Sequence, residues 1–188
     1  MTKRSKTHRD RITTRAAVLV DASRLHDVYL ASYEDAYRDL APPAWLRDRL
    51  AQHRTVDWAR RLKEERAHGG DIVVALDGDQ LIGLCQFGAT TNEDDDLPEV
   101  GHVRRLYVHP ARQRRGAGSA LMSLACATLR SQGYAFATLW VLASDTRRAR
   151  PFYESLGWRS DGTMRPDEAE LTPEWEGRLD DVRYRTTL

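Results

Sequence analysis

Apolar residues along this chain switch between a spacing of about two and one of about 3.6, and turn residues mark most of the switches. Ile12 to Val20 reads as a first strand. Asp21 is placed to cap a helix running through Ser32, on which Leu25, Val28, Tyr29 and Ser32 recur at helical spacing. After the Pro42-Pro43 break, Ala44 to Arg66 carries Leu46, Leu50, Val56, Trp58 and Leu62 among many charges, and it is predicted as one helix stopped by Gly69-Gly70. Ile72 to Leu76, the turn Asp77-Gly78-Asp79, and Leu81 to Gly88 predict a β-hairpin. A polar acidic stretch over 90–98 follows as a surface connection, then a strand from Gly101 to Val108 that Pro110 ends. The clearest helix spans 116–132, where Leu121, Leu124, Ala125, Thr128 and Leu129 form one stripe ahead of Gly133. A buried strand at Phe136 to Leu142, a helix at Arg147 to Leu156 closing on Gly157, and strands at Trp158 to Met164 and Val182 to Thr186 complete the pattern. Strands interleaved with helices predict a mixed α/β sheet.

Composition narrows the class. With 188 residues, 41% hydrophobic and 30% charged, the chain suits one globular domain, taken as 12–188, preceded by a loose basic arm at 1–11. There is no apolar run of the ~18 residues that a membrane span needs and no signal-peptide pattern, so no membrane partner and a cytoplasmic location are expected. Cys85 and Cys126 lack any zinc-like spacing, and no metal is expected; Cys126 reads as a packing residue on its helix. The balance of 29 Lys+Arg against 28 Asp+Glu argues against a wholesale nucleic-acid binder. The charge is nevertheless unevenly spread. Lys3, Arg4, Lys6, Arg9, Arg11 and Arg15 crowd the start, Glu93, Asp94, Asp95, Asp96 and Glu99 form an acidic run, and residues 104–115 hold five arginines. A nucleic-acid role for the arm rests on that charge alone, and a solvated terminus explains it more simply.

The third cluster carries the chemistry. The run Leu106-Tyr107-Val108-His109-Pro110-Ala111-Arg112-Gln113-Arg114-Arg115-Gly116-Ala117-Gly118-Ser119 joins a strand to a helix through a basic, glycine-containing turn. Amides at a helix start, the positive end of the helix dipole and the close approach that glycine permits together suit a diphosphate. The run lacks the lysine and hydroxyl of a P-loop and the three glycines of a dinucleotide fingerprint, which makes ATP and NAD poor candidates. Taken alone, Gly-x-Gly is equally compatible with an ordinary surface turn.

Strand-ending Leu-Tyr-Val-His-Pro, then Gln113-Arg-Arg-Gly116-Ala-Gly118 opening an amphipathic helix, then Ala149-Arg-Pro-Phe-Tyr153-Glu-Ser-Leu-Gly-Trp, together resemble the Gcn5-related N-acetyltransferase (GNAT) superfamily. The likeness extends more weakly from about Thr14 to the C-terminus. It implies a single-domain α/β (α+β) fold with a mixed, mostly antiparallel sheet of six or seven strands flanked by about four helices. It also implies acetyl-coenzyme A as co-substrate and direct transfer of acetyl to a primary amine of a small molecule or peptide. In such enzymes the amides of Arg114, Arg115, Gly116, Ala117, Gly118 and Ser119, after Gln113, would face the pyrophosphate. The edge of Leu106, Tyr107 and Val108 would line the pantetheine arm, with the Val108 amide on the thioester oxygen. Tyr153 would protonate the departing thiolate. Many relatives carry asparagine seven residues before that tyrosine; Thr146 stands there and offers fewer hydrogen-bonding groups. The resemblance also makes a homodimer through C-terminal strands an open alternative.

The proton acceptor stays open among three readings. A protonated alkylamine with a pKa near ~10 must lose a proton before it attacks. His102 occupies the strand position where relatives often have a glutamate, Glu99 is its rival if the strand shifts, and water is the third. For the acceptor, Tyr33, Glu34 and Tyr37 are the candidates, two aromatic faces and a carboxylate for a cationic amine, with plain packing as the competing reading. Arg147, Arg148 and Arg150 are candidates for the adenosine 3'-phosphate against a solvated face. The residues 167–176, with Trp175, read as a flap or an interface. A non-catalytic acyl-coenzyme A binding or sensing module is the alternative function, motivated by Thr146 and the open base.

Overall fold

The computed structural model describes residues 12–90, 100–166 and 180–188. The basic arm, the acidic run with Glu99, and the 167–176 segment with Trp175 therefore lie outside the described residues. The described strands are β1 (Ile12–Ala16), β2 (Asp71–Asp77), β3 (Gln80–Ala89), β4 (Val100–Val108), β5 (Phe136–Leu142), β6 (Arg159–Pro166) and β7 (Asp180–Thr187). The helices are α1 (Ala22–Tyr37), α2 (Pro43–His53), α3 (Trp58–Ala67), α4 (Ala117–Ser131) and α5 (Ala149–Ser155). The strands form one sheet in the order β1-β2-β3-β4-β5-β7-β6. The residues fall into two compact units, one of 12–88 with 105–126 and one of 89–104 with 127–188. β4 and α4 each contribute to both.

In the first unit, β1 pairs antiparallel with β2 and β2 with β3. Both sides of the hairpin are apolar almost throughout: Ile72 to Leu76 and Leu81 to Phe87 are buried, with helices supplying the cover. α1 contributes Leu25, Val28 and Tyr29, α2 Leu46, α3 Trp58 and Leu62, and α4 Leu121, Met122 and Ala125 to the buried set. At Gly83 on β3 the neighbouring layers approach closely. A Cβ there would stand 3.0 Å from Leu121 Cδ1, 3.0 Å from the Tyr107 carbonyl and 3.3 Å from Val108 Cγ2. The bare glycine thus sets the spacing between β3 and the end of β4.

The second unit holds the only parallel pair among the described registers, Val100–Val103 of β4 against Phe136–Leu139 of β5. β5 pairs antiparallel with β7, and β7 with β6. Val100, Val103, Leu129, Leu139, Val141, Trp158, Val182 and Tyr184 are buried.

Three expectations change. The first strand stops at Ala16, because the Asp21 carboxylate turns back to accept from the Val18 amide at 2.8 Å and from Arg15 at 2.6 Å, folding Leu19–Asp21 into a 3₁₀ turn. Asp21 thereby precedes α1 without capping it through its side chain, and α1 runs on to Tyr37. The single helix expected over 44–66 is two. Thr55 Oγ1 donates back to the Gln52 carbonyl at 2.7 Å and the Asp57 carboxylate accepts from the Arg60 amide at 3.0 Å, so one end and one start replace a continuous turn. Five helices result where about four were expected. The last helix begins at Ala149, after Asp145 accepts from the Arg148 amide at 2.9 Å.

Candidate active site

The turn after β4 has the shape its sequence suggested, with one addition. Pro110–Arg112 makes a 3₁₀ turn, and the chain then passes through Arg114 at φ 60° and Gly116 at φ 95° before α4 starts at Ala117. Arg114 is the one non-glycine residue with positive φ among the described residues. A left-handed L-residue costs on the order of 1–2 kcal/mol, and such strain collects at ligand-holding turns. Left-handed residues alternating with ordinary ones curl successive amides toward a common point, which is the geometry of an anion nest. The first helical bond runs from the Ala120 amide to the Gly116 carbonyl at 3.0 Å, so the amides of Ala117, Gly118 and Ser119 stand ahead of the ladder at the positive end of the α4 dipole.

The arginines of the turn divide by task. Arg112 is held by the hairpin: it donates to Gln80 Oε1 at 2.5 Å and stands 3.8 Å from Asp77. Gln113 donates to the Val108 carbonyl at 3.2 Å, bracing the turn against the strand end. Arg114 is exposed and Arg115 half-buried. Leu106, Tyr107 and Val108 are half-buried at the end of β4.

The acceptor candidates lie in the same unit. Tyr33 stacks on Tyr37 with ring centres 4.5 Å apart and meets His53 edge-on at 4.3 Å. Glu34 does not join them: it is exposed and lies 3.7 Å from Arg38 on its own helix. Residues that the sequence reading did not single out for the site complete the cluster. Tyr29 meets His53, Trp58 and Tyr107 at 5.2, 5.3 and 5.2 Å, each edge-on. Its hydroxyl lies 3.0 Å from His53 Nδ1. Tyr29, Tyr33 and Tyr37 are spaced four apart, a stripe visible in the sequence; the convergence of α2, α3 and β4 upon it is not. Burial, with Arg49, Arg105 and Arg61 behind it, pushes the His53 imidazole down to about 4. Burial raises the Tyr29 phenol, and the Arg105 and Arg61 charges oppose that rise.

In the second unit, His102 is buried on β4, its Nδ1 3.0 Å from the Thr138 hydroxyl on β5. Burial first, then the charges of Arg104 and Arg165, push its imidazole down to about 3. Tyr153 is buried on α5, with Phe152 edge-on at 5.1 Å and Trp158 at 6.3 Å. Its neighbour Glu154 accepts from the Tyr184 hydroxyl at 2.8 Å, while Arg150 donates to that hydroxyl at 3.1 Å and to the Ala143 carbonyl at 3.0 Å. Arg150 is thereby committed to fastening α5 to β7 and to the turn that follows β5, while Arg147 and Arg148 are exposed. Thr146 is exposed in the turn before α5, its amide 2.9 Å from the Ser144 carbonyl. Among the described residues no group of three or more His, Cys, Asp or Glu side chains could hold a metal ion, and no helix is long and apolar enough to cross a membrane.

Known proteins share this architecture. The sequence pattern of the acetyltransferase (GNAT) family matches residues 24–158. The uncharacterized N-acetyltransferase YuaI of Bacillus subtilis is 24% identical over 131 residues, 70% of this chain and 72% of that protein. Among solved structures, the PaiA N-acetyltransferase of Thermoplasma acidophilum in complex with coenzyme A superposes with a TM-score of 0.68 at 16% identity, covering 94% of this chain and 99% of that one. The protein yncA of Salmonella typhimurium, solved with its cofactor acetyl-CoA, superposes with a TM-score of 0.68 at 20% identity, covering 95% of this chain and 94% of that one.

Proposed function

The chain belongs to the acetyltransferase (GNAT) family, and from that premise we propose that it moves an acetyl group from acetyl-coenzyme A to a primary amine by direct attack. The observation that carries the reading is the turn at Arg114 and Gly116, a strained nest at a helix start with an exposed guanidinium beside it. A diphosphate supplies the negative charge that such a turn stabilises. The solved relatives that hold coenzyme A or acetyl-CoA support the same assignment.

Roles follow for this chain's own groups. The amides of Arg114 to Ser119 hold the diphosphate, and the β4 edge at Leu106, Tyr107 and Val108 takes the pantetheine arm. The Val108 amide donates to the oxygen that becomes negative as the amine adds, a fixed donor that needs no reorganisation. The Tyr153 phenol gives its proton to the leaving sulfur, whose ordinary thiol pKa of ~8.5 makes a phenol an adequate acid. Burial and a pKa near 3 keep His102 neutral but make it a weak proton acceptor. Those properties favour water as the route for the amine's proton, with His102 positioning β4 against β5 through Thr138.

Release of free thiol from acetyl-coenzyme A, followed across a panel of amines, tests the proposal. Release that depends on both acetyl-coenzyme A and an amine is expected. Tight binding of coenzyme A without release for any amine favours the binding-module alternative.

A further inference from the structure

Two guanidiniums in the aromatic cluster make no ion pair among the described residues. Arg61 on α3 is half-buried, its guanidinium 5.6 Å from the Trp58 ring centre, and it makes no ion pair among the described residues. Arg105 on β4 is also half-buried, and its hydrogen bonds go to neutral groups, the Gln86 amide oxygen at 3.0 Å and the Tyr29 hydroxyl. The nearest acids are engaged elsewhere: Glu64 bonds Arg60 at 3.0 Å, and Glu65 accepts from the Gln86 amide. Burial and the neighbouring Arg105 charge push the Arg61 guanidinium below its ordinary pKa, against the smaller opposing pulls of Tyr29, Glu65 and Glu64. Like charges drawn together out of water are disfavoured unless an anion offsets them.

Two buried polar atoms next to them have no partner, Trp58 Nε1 and His53 Nε2. Trp58 is only 3% exposed, and its indole nitrogen is a donor only. His53 Nε2 is unpartnered in either tautomer, and it is a second unused donor in the one where the Tyr29 hydroxyl donates to Nδ1. A buried donor left unpaired costs about 1–3 kcal/mol. Two cations, an idle indole donor and an unpartnered imidazole nitrogen among aromatic faces thus present positive potential and hydrogen-bonding capacity.

The cluster also stands beside the proposed reaction point. Alternation along β4 puts Arg105 and Tyr107 on one face, toward Tyr29 of α1, while the peptide joining Tyr107 to Val108 carries the proposed oxyanion donor. At about 3.3 Å per strand residue, Arg105 lies about 10 Å along the strand from Val108. A small molecule can span that distance.

We propose that Arg61 and Arg105, with His53 and Trp58, form a subsite for an oxyanion on the acceptor, so that the substrate is a small amine that also bears a carboxylate or a phosphate. The inference rests on the acetyltransferase reading for the transfer step alone. It reverses the expectation of a cationic acceptor met by Glu34, which points away and pairs with Arg38.

The test uses the full chain with acetyl-coenzyme A and four probes: phenylalanine, phosphoethanolamine, phenylalaninamide and cadaverine. An oxyanion-bearing amine is expected to exceed the amide and the diamine by about tenfold or more in kcat/KM, the scale of a hydrogen bond to a charged group. Arg61→Gln and Arg105→Gln should each shrink that preference, chiefly through KM, and leave coenzyme A affinity unchanged. Preference for phenylalanine assigns a carboxylate; preference for phosphoethanolamine assigns a phosphate. Equal or better turnover of the amide or the diamine, or a preference untouched in both variants, overturns the proposal. If no probe releases thiol, calorimetry with the same four decides. Binding of an acid that exceeds the amide and falls in Arg61→Gln supports the subsite, and indifference overturns it. Loss of coenzyme A binding in the unmodified protein would instead defeat the acetyltransferase reading.

Discussion

The Tyr29 hydroxyl and His53 Nδ1 lie 3.0 Å apart, and this bond ties α1 to α2 at the centre of the aromatic cluster. His53 has an imidazole pushed down to about 4, and His102 in the other unit is pushed down to about 3. A folded-state pKa below the unfolded value of 6.5 means that the unfolded chain takes up the proton first.

Stability is therefore expected to be level above about pH 6.5 and to fall as the pH drops from there toward 4 for His53 and 3 for His102. Asp21, held low chiefly by Arg15, loses its contribution only below the ordinary carboxylate range, which separates the two effects. Urea midpoints measured from pH 8 to pH 4 check this. His102→Gln should flatten the decline the more, because His102 is the more deeply buried; an unchanged slope in both His102→Gln and His53→Gln would contradict the assignment.

Gly83→Ala and Gly101→Ala form a matched pair. The added carbon at Gly83 meets the Tyr107 carbonyl and two side chains at 3.0 to 3.3 Å, so part of the strain falls on the backbone beside Val108. At Gly101 its nearest neighbours are all in the Leu129 side chain, the closest at 2.8 Å, so the strain falls first on a buried side chain away from the end of β4. Overpacking costs about 1–3 kcal/mol in either place. Gly83→Ala should also lower kcat/KM measurably, whereas Gly101→Ala should change melting temperature with little effect on turnover. Equal kinetic effects of the two would argue against a role for the β4 end.

Tyr153→Phe keeps the ring contacts with Phe152 and Trp158 while removing the proposed proton donor. Turnover should drop by about a hundredfold, within the range for a positioned acid, and coenzyme A affinity should hold. The pH profile of kcat supplies a second readout, since its alkaline limb should change shape in the variant. A variant with unaltered kcat would remove Tyr153 from the chemistry.

How much of this could be read beforehand depends on whether a feature is local. The stripe on α4, the hairpin around Gly78 and the strand from Phe136 are periodic and legible to within a residue or two. The break at 54–57 was hidden because Leu50, Val56 and Trp58 keep apolar spacing across it, although Asp57 followed three residues later by a bonded amide is a capping signal. The left-handed Arg114 has no sequence signature, since arginine rarely adopts that conformation. His53, Trp58, Arg61 and Arg105 come from three different elements, α2, α3 and β4, and only the tertiary fold brings them to Tyr29.

A titration of coenzyme A into the full chain, by calorimetry and beside Gly116→Ala, reaches the central claim most directly. Gly116 sits at φ 95°, where a side chain strains the backbone that shapes the nest. Saturable binding at one site per chain is expected, weakened about tenfold or more in Gly116→Ala and unaffected by Gly101→Ala. No heat and no rise in melting temperature at millimolar coenzyme A, or an identical affinity in Gly116→Ala, would contradict the account.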